Sequence, residues 1–304
     1  MTDRVSNIEE REAREVGCFG LVGGRARHLY TREWFYASRC EKKDGPFICP
    51  VCAEDAVVRK CVEKRHHFAH KARLSPVIGP EEGELHSQCK NEIACQLQKR
   101  FPDGKWETER AIPENKEREI PELRPDVSGR IGKDRIAIEV QASSLTIEKI
   151  IKRATNYARR EIRLLWLVPL REPLGDLPFR PRLYERYLHS IYFGRTYYWW
   201  PGQGLIVKPV HYAPQIRHVE ERDWYEDGEH RYGGGYDTEY RTIKKPLYGA
   251  DVSIADDFIP YLRDAFIPTN ERKNIPMCFI WRDNLNTWWS DHKRSKEAGA
   301  SHPS

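Results

Sequence analysis

The stretch Arg124-Pro125-Asp126-Val127-Ser128-Gly129-Arg130-Ile131-Gly132-Lys133-Asp134-Arg135-Ile136-Ala137-Ile138-Glu139-Val140-Gln141 decides the fold. It reads as a β-hairpin. Val127 and Ile131 alternate with polar residues on the first arm, and Ile136, Ile138 and Val140 do so on the second. Gly132-Lys133 makes a two-residue loop whose leading glycine suits a type II′ turn. Pairing Ile131 with Asp134 sets Asp126 directly opposite Glu139, with Cβ atoms roughly 5 Å apart. Gln141, two residues further, projects to the same face as Glu139. Like charges directly opposed cost stability unless a cation sits nearby, and a hard divalent ion is a natural one. The competing reading is the solvated polar face of an amphipathic hairpin.

The flanks add chemistry to this hairpin. Upstream, Leu85 to Lys99 reads as a helix on which His86, Lys90, Ile93 and Leu97 share a face, followed by a strand from Lys105 to Ile112. Downstream, Thr146 to Arg160 reads as a helix with Ile147, Ile150, Ile151, Ala154 and Ala158 on one stripe. Lys149, Arg153, Asn156 and Arg160 form another. From Lys152 to Arg163 there are five cations and one acid, a local excess that a phosphate backbone would seek, although a basic helix is also an ordinary solvated face. The apolar run Leu164-Leu165-Trp166-Leu167-Val168 then suits a buried central strand.

Toward the N-terminus, Cys49-Pro50-Val51-Cys52 and His67-Phe68-Ala69-His70 have the spacing of a Cys2His2 site. Such a closed tetrahedral set suits a structural Zn²⁺ and leaves no open position for catalysis. Cys61, Cys40 and His66 are alternates, Cys61 foremost. The eight cysteines of the 304-residue chain are too sparse for a disulfide framework and point to a reducing compartment.

Composition bounds the rest. With 39% hydrophobic and 32% charged residues the chain can bury a sizeable core, and its net charge of +5 is too mild to name a nucleic-acid partner by itself. No apolar stretch is long enough for a membrane span, and the first thirty residues carry no signal-peptide core, so a cytoplasmic location is expected. Four zones are expected: a zinc-bearing N-terminal region (1–80), a helix- and strand-rich core (81–170), an aromatic-rich domain (171–289) and a solvated tail (290–304). The third zone holds 23 of the 34 aromatic residues, to pack a β-rich core or to form a stacking surface; core packing is the favoured reading.

The order helix, strand, strand, strand, helix, strand, with Arg-Pro-Asp126-Val and Ile-Glu139-Val-Gln141, resembles the PD-(D/E)XK nuclease fold. More narrowly, the chain resembles the CoiA-like competence protein family. The matching features are Cys49-Pro-Val-Cys52, His67-Phe-Ala-His70, His86-x3-Lys90, Arg124-Pro-Asp126-Val, Glu139-Val-Gln141-Ala-Ser, Arg153-x3-Tyr157 and Leu165-Trp166-Leu167-Val168. Tyr192-Phe193-Gly194-Arg195-Thr196-Tyr197-Tyr198-Trp199 is a weaker extension. The resemblance implies an α+β or α/β chain: a restriction-endonuclease-like core, a mixed sheet flanked by helices, behind a small zinc module and ahead of the aromatic-rich region. It also implies a metal-dependent nuclease that handles incoming or recombining DNA, single-stranded or duplex, in competence, recombination or defence, alongside other proteins of those processes.

On that reading Asp126 and Glu139 bind Mg²⁺ or Mn²⁺ with the Val140 carbonyl as a further ligand. Gln141 stands where the superfamily motif has Lys, so it orients a water without supplying charge, and Lys90 supplies the charge from the helix. His86 assists proton transfer or orients Lys90, and Glu109 is an outer carboxylate. Lys149, Arg153 and Arg160 hold phosphates without reading bases. The alternative is a non-catalytic single-stranded-DNA-binding adaptor with a degenerate site, its C-terminal aromatics stacking on bases.

Overall fold

The computed structural model describes residues 21–50, 53, 55–60, 66–70, 82–142, 145–219, 221–226, 229–267 and 274–290. Cys52, Cys61 and positions 291–304 of the expected tail lie outside the described residues. Two compact units emerge. One comprises Met1–Arg73, Asp176–Arg180 and Pro214–Lys245; the other comprises Leu74–Gly175, Pro181–Ala213 and Pro246–Ser304.

The first unit is built on an antiparallel sheet of β1 (Leu21–Gly23), β2 (Arg25–His28), β3 (Trp34–Tyr36), β4 (Phe47–Ile48), β5 (Asp55–Arg59) and β6 (His67–His70), in the order β1-β6-β5-β4-β2-β3. Strand alternation sends Ala26, Phe47, Ala56, Val58 and Phe68 to one face, where they form a small core with Ala37 and Cys40. Phe35 packs against this cluster, with its ring 5.4 Å from that of Phe47.

The second unit holds the hairpin. After α1 (Glu82–Arg100) come β7 (Glu107–Thr108), β8 (Val127–Ile131), β9 (Asp134–Val140), α2 (Ile147–Ala158), β10 (Arg163–Pro169), α3 (Leu183–Ile191), β11 (Thr196–Trp199) and β12 (Ile206–Val219). β8 and β9 pair as the alternation predicts, from Ile131 with Asp134 to Val127 with Ile138. Gly132 takes the left-handed conformation at φ +57, which the turn demands of its leading residue. Gly129 answers a different need: a Cβ there would lie 2.3 Å from the Trp106 indole packed on it.

The predicted helices appear with slightly different ends, and α2 buries Ile147, Ile150, Ala154 and Ala158 as its stripe requires. α1 lies against β7 to β10 and buries Cys89, Ile93 and Leu97. From β9 through α2 to β10 the chain makes a parallel crossover, Arg163 pairing with Ile136 and Leu167 with Val140. The expected strand over 105–112 is shorter than predicted. Only Glu107 and Thr108 form it, because Glu109 turns into the left-handed region at φ +52 and breaks the ladder.

Beyond α3 the sequence suggests a separate domain at 171–289, but this region adds strands to the same sheet. β15 (Tyr236–Tyr248), β16 (Val252–Ser253), β17 (Phe258–Arg263) and β18 (Cys278–Asp283) join it, whereas β13 (Arg222–Glu226) and β14 (Glu229–Gly233) form a separate two-stranded sheet within Pro214–Lys245 of the first unit. The edge of β10 away from β9 is shared: Leu167 to Pro169 pair in parallel with Tyr197 to Trp199 of β11, and Leu164 pairs in parallel with Ile280 of β18. Tyr192, Tyr197, Tyr198 and Trp199 are buried, so these aromatics fill the core and do not form a stacking surface. The unit is therefore a mixed sheet with a few helices.

Candidate active site

Asp126 sits one residue before β8, where Pro125 brings the chain in extended and the Glu109 N–H binds the Asp126 carbonyl at 3.1 Å. Its carboxylate accepts the Val140 N–H at 2.8 Å and the His86 Nε2–H at 3.1 Å. Burial alone would raise its pKa. The His86 and Val140 hydrogen bonds outweigh that and hold it below the ordinary carboxylate range.

Glu139 meets Asp126 within hydrogen-bonding reach and is 1% exposed. The Tyr157 hydroxyl donates to its Oε1 at 2.6 Å, and the Arg153 guanidinium pairs with its Oε2. Burial pushes the Glu139 carboxyl up to about 8; Arg153 pulls the other way, and the charge of Asp126 adds to the rise. Burial thus favours the proton on Glu139 and the charge on Asp126, with Arg153 beside them. This excludes the solvated-face reading of the hairpin, because Ser128, Ala137, Glu139 and Gln141 are all buried.

Arg153 and Tyr157 are four apart on α2, so both reach the same carboxylate from one helical face. Tyr157 is the residue that pattern reading left without a role, and its signal was the i, i+4 spacing from Arg153. Burial, with Glu139 beside it, pushes the Tyr157 phenol well up, so it acts as a donor. Arg153, expected on phosphates, instead spends its charge on Glu139, with its guanidinium 5.9 Å from the centre of the Trp166 ring. Arg160, expected beside it, donates to the Pro113 carbonyl and ties a loop to the end of α2. Lys149 is exposed.

Lys90 is buried on α1 and pairs with Glu109, whose carboxyl that hydrogen bond draws down. Through the Glu109 backbone it stands one contact from Asp126. The Gln141 N–H continues the β9 ladder to the Leu167 carbonyl at 2.8 Å. His86, Lys90, Glu109, Asp126, Glu139 and Arg153 are therefore linked through side-chain and backbone bonds across α1, the hairpin and α2. Among the described residues no three His, Cys, Asp or Glu side chains are gathered to hold a metal. Mg²⁺ needs only one or two carboxylates, since it keeps several waters, and two adjoining acids offer it hard oxygen donors.

In the first unit, Cys49 is buried at the end of β4, and its carbonyl accepts the Ala53 N–H at 3.0 Å across a tight turn with Ala53 at φ +60. Phe47 pairs with Ala56 and Ala56 with His70, so strand alternation puts His70 on the face that Cys49 continues. His67 pairs with Arg59, about 10 Å along β6 and on the opposite face. Cys52, the second cysteine of the expected set, lies outside the described residues.

Residues 82–172 match the family model described as competence protein CoiA, nuclease-like domain, and residues 32–75 match competence protein CoiA, N-terminal domain. Competence protein CoiA of Bacillus subtilis (strain 168) is 31% identical over 125 residues, which span 40% of this chain and 31% of that protein. No solved structure matches. The site just described falls inside the longer match, from His86 to Trp166. Across these two stretches the chain is similar, in the same order, to the N-terminal and nuclease-like domains of the competence protein CoiA family.

Proposed function

We propose that this chain hydrolyses DNA phosphodiester bonds with a divalent metal held by Asp126 and Glu139, as a PD-(D/E)XK-type nuclease of competence, recombination or defence. One observation carries the reading: a buried Glu139 and a half-buried Asp126 meet at the hairpin, an arrangement that costs stability and that folding alone does not require. When bound, Mg²⁺ or Mn²⁺ lowers the pKa of a coordinated water and neutralises charge developing at phosphorus. The chain's own residues do the rest. Tyr157 and Arg153 fix the Glu139 carboxylate, and His86 and the Val140 N–H fix that of Asp126. The Val140 carbonyl adds an oxygen ligand. Gln141 positions the attacking water, and Lys90 places a positive charge beside the phosphate. DNA is held by its backbone, independently of sequence, with Lys149 at the exposed face of α2.

The test is cleavage of single-stranded and duplex DNA with Mg²⁺ or Mn²⁺, wild type beside Asp126→Asn and Glu139→Gln. Both substitutions should reduce cutting to background. The pairing of Arg153 with Glu139, together with Gln141 in place of Lys, favours a second reading: a DNA-binding adaptor whose site no longer cuts. Absence of cutting by wild type with either metal, with DNA binding retained, would select it. For the N-terminal module the proposal is a structural Zn²⁺ on Cys49, Cys52, His67 and His70. Metal analysis of purified protein should give one zinc per chain, lost on Cys49→Ser.

A further inference from the structure

The ribbon formed by β2 and β3 has one face in the small core and one outside. Inward, Ala26 is fully buried and Phe35 packs on Phe47. Outward stand Arg25 and Arg27 on β2, and Trp34 and Tyr36 on β3. Arg25 pairs directly with Tyr36 and Arg27 with Trp34, so the outer face gathers two guanidiniums and two aromatic rings. The two rungs are about 7 Å apart, the span of two residues in a strand.

These groups stay at the surface and touch one another. Trp34 remains 41% exposed and Tyr36 51% exposed, and neither belongs to the core cluster. Both guanidiniums lie over the Trp34 ring, at 4.6 and 4.8 Å from its centre. Two like charges on one ring repel, and among the described residues Arg25, Arg27, Arg32 and Arg39 have no carboxylate partner. The nearby acid, Glu33, accepts from the Thr31 hydroxyl at 3.2 Å. β3 is also the edge strand of its sheet, where charged or short strands are the usual protection and a Trp and a Tyr are not. A cation row with no carboxylate partner among the described residues, set beside exposed aromatic rings, suits an extended polyanion that carries flat apolar groups.

We infer that the outer face of the β2–β3 ribbon docks single-stranded nucleic acid, with Arg25 and Arg27 on successive phosphates and Trp34 and Tyr36 stacking on bases. Each rung matches the repeating phosphate and base of an extended strand. A duplex offers the phosphates but hides the base faces, and an acidic peptide offers charge without the rings. The ribbon is a separate feature from the Asp126 and Glu139 pocket and acts in binding without cutting.

The test measures anisotropy of a labelled oligo-deoxythymidine with the full chain in EDTA, where nothing is cut. Wild type should bind it more tightly than a duplex of equal length. Trp34→Ala should weaken binding roughly ten-fold or more, with Trp34→Phe restoring most of it. Arg25→Gln with Arg27→Gln should flatten the salt dependence by roughly one and a half in the log–log slope. Should Trp34→Ala fail to fold, judged by circular dichroism, Tyr36→Ala and the double Gln variant decide alone. Wild-type binding by the folded variants overturns the inference, as does equal binding of duplex or heparin with the same Trp34 dependence. Cleavage by Asp126→Asn is read separately, so failure of the nuclease reading leaves this result intact, and the converse holds.

Discussion

Replacing Glu139 by Gln should stabilise the metal-free protein, by an amount set by pH. A free glutamate ionises near 4.5, whereas the buried Glu139 carboxyl keeps its proton up to about 8. Between those values the folded state binds more protons than the unfolded state, so stability falls as pH rises through this window. By pH 7 the accumulated cost is about 3 kcal/mol, at about 1.4 kcal/mol per pH unit. Gln carries no titrating proton and avoids that cost. Its carbonyl keeps the Tyr157 bond and its amide can donate to Asp126, while Arg153, whose side chain is 45% exposed, turns to water. Losing the Arg153 pairing returns about 1 kcal/mol. The net expectation is a gain of about 2 kcal/mol at pH 7 that vanishes near pH 5 and grows toward pH 8. Urea unfolding of both proteins at several pH values in EDTA measures it. A difference that stays flat from pH 5 to pH 8, or a variant that loses ground as pH rises, refutes the buried, protonated Glu139.

Other perturbations test neighbouring parts of the reasoning. Tyr157→Phe removes one hydrogen bond to Glu139 and should cost about 1 kcal/mol in urea unfolding; cleavage should fall further than that loss explains. Gly129→Ala drives a methyl into the Trp106 indole and should cost about 1–3 kcal/mol, seen as a lowered thermal midpoint, with Ser128→Ala nearby as a mild control. Asp283→Ala leaves Arg195 buried without its partner and strips the Tyr197 hydroxyl of its acceptor at 2.5 Å, a loss of about 3–5 kcal/mol by denaturant titration. Adding Mn²⁺ should raise the thermal midpoint of wild type and leave that of Glu139→Gln unmoved, since binding stabilises only the form that holds the ion.

The hairpin was legible because its cues are local. A pleat alternates every residue, a leading glycine sets the turn, and together they fix that Asp126 meets Glu139. The helices and the apolar strand Arg163–Pro169 were legible for the same reason. What closes over Glu139 was not. The side of the sheet that α2 covers depends on the parallel crossover, and only that geometry shows Arg153 turned inward to a carboxylate. Glu109 hid the early end of its strand, since a left-handed residue leaves little trace in a hydrophobic pattern. The strand that carries His67-Phe-Ala-His70 was not legible either, since four residues with two histidines show no clear period. The pairing of the aromatic-rich region was not legible for a long-range reason: a strand's sequence does not name its partners, and Cys278–Asp283 finds β10 across more than a hundred residues. No described helix is long and apolar enough to cross a membrane.

The shared edge of β10 has a practical meaning for anyone excising the stretch that resembles a nuclease. A polypeptide ending at residue 172 would keep the paired acids and both helices around them, but the central strand would lose β11 and β18 together. Its row of unmet backbone groups, lined by Leu164 to Val168, would become a sticky seam inviting self-association. Homology boundaries and folding boundaries therefore part company here, and the fragment worth purifying runs on at least through Asp283.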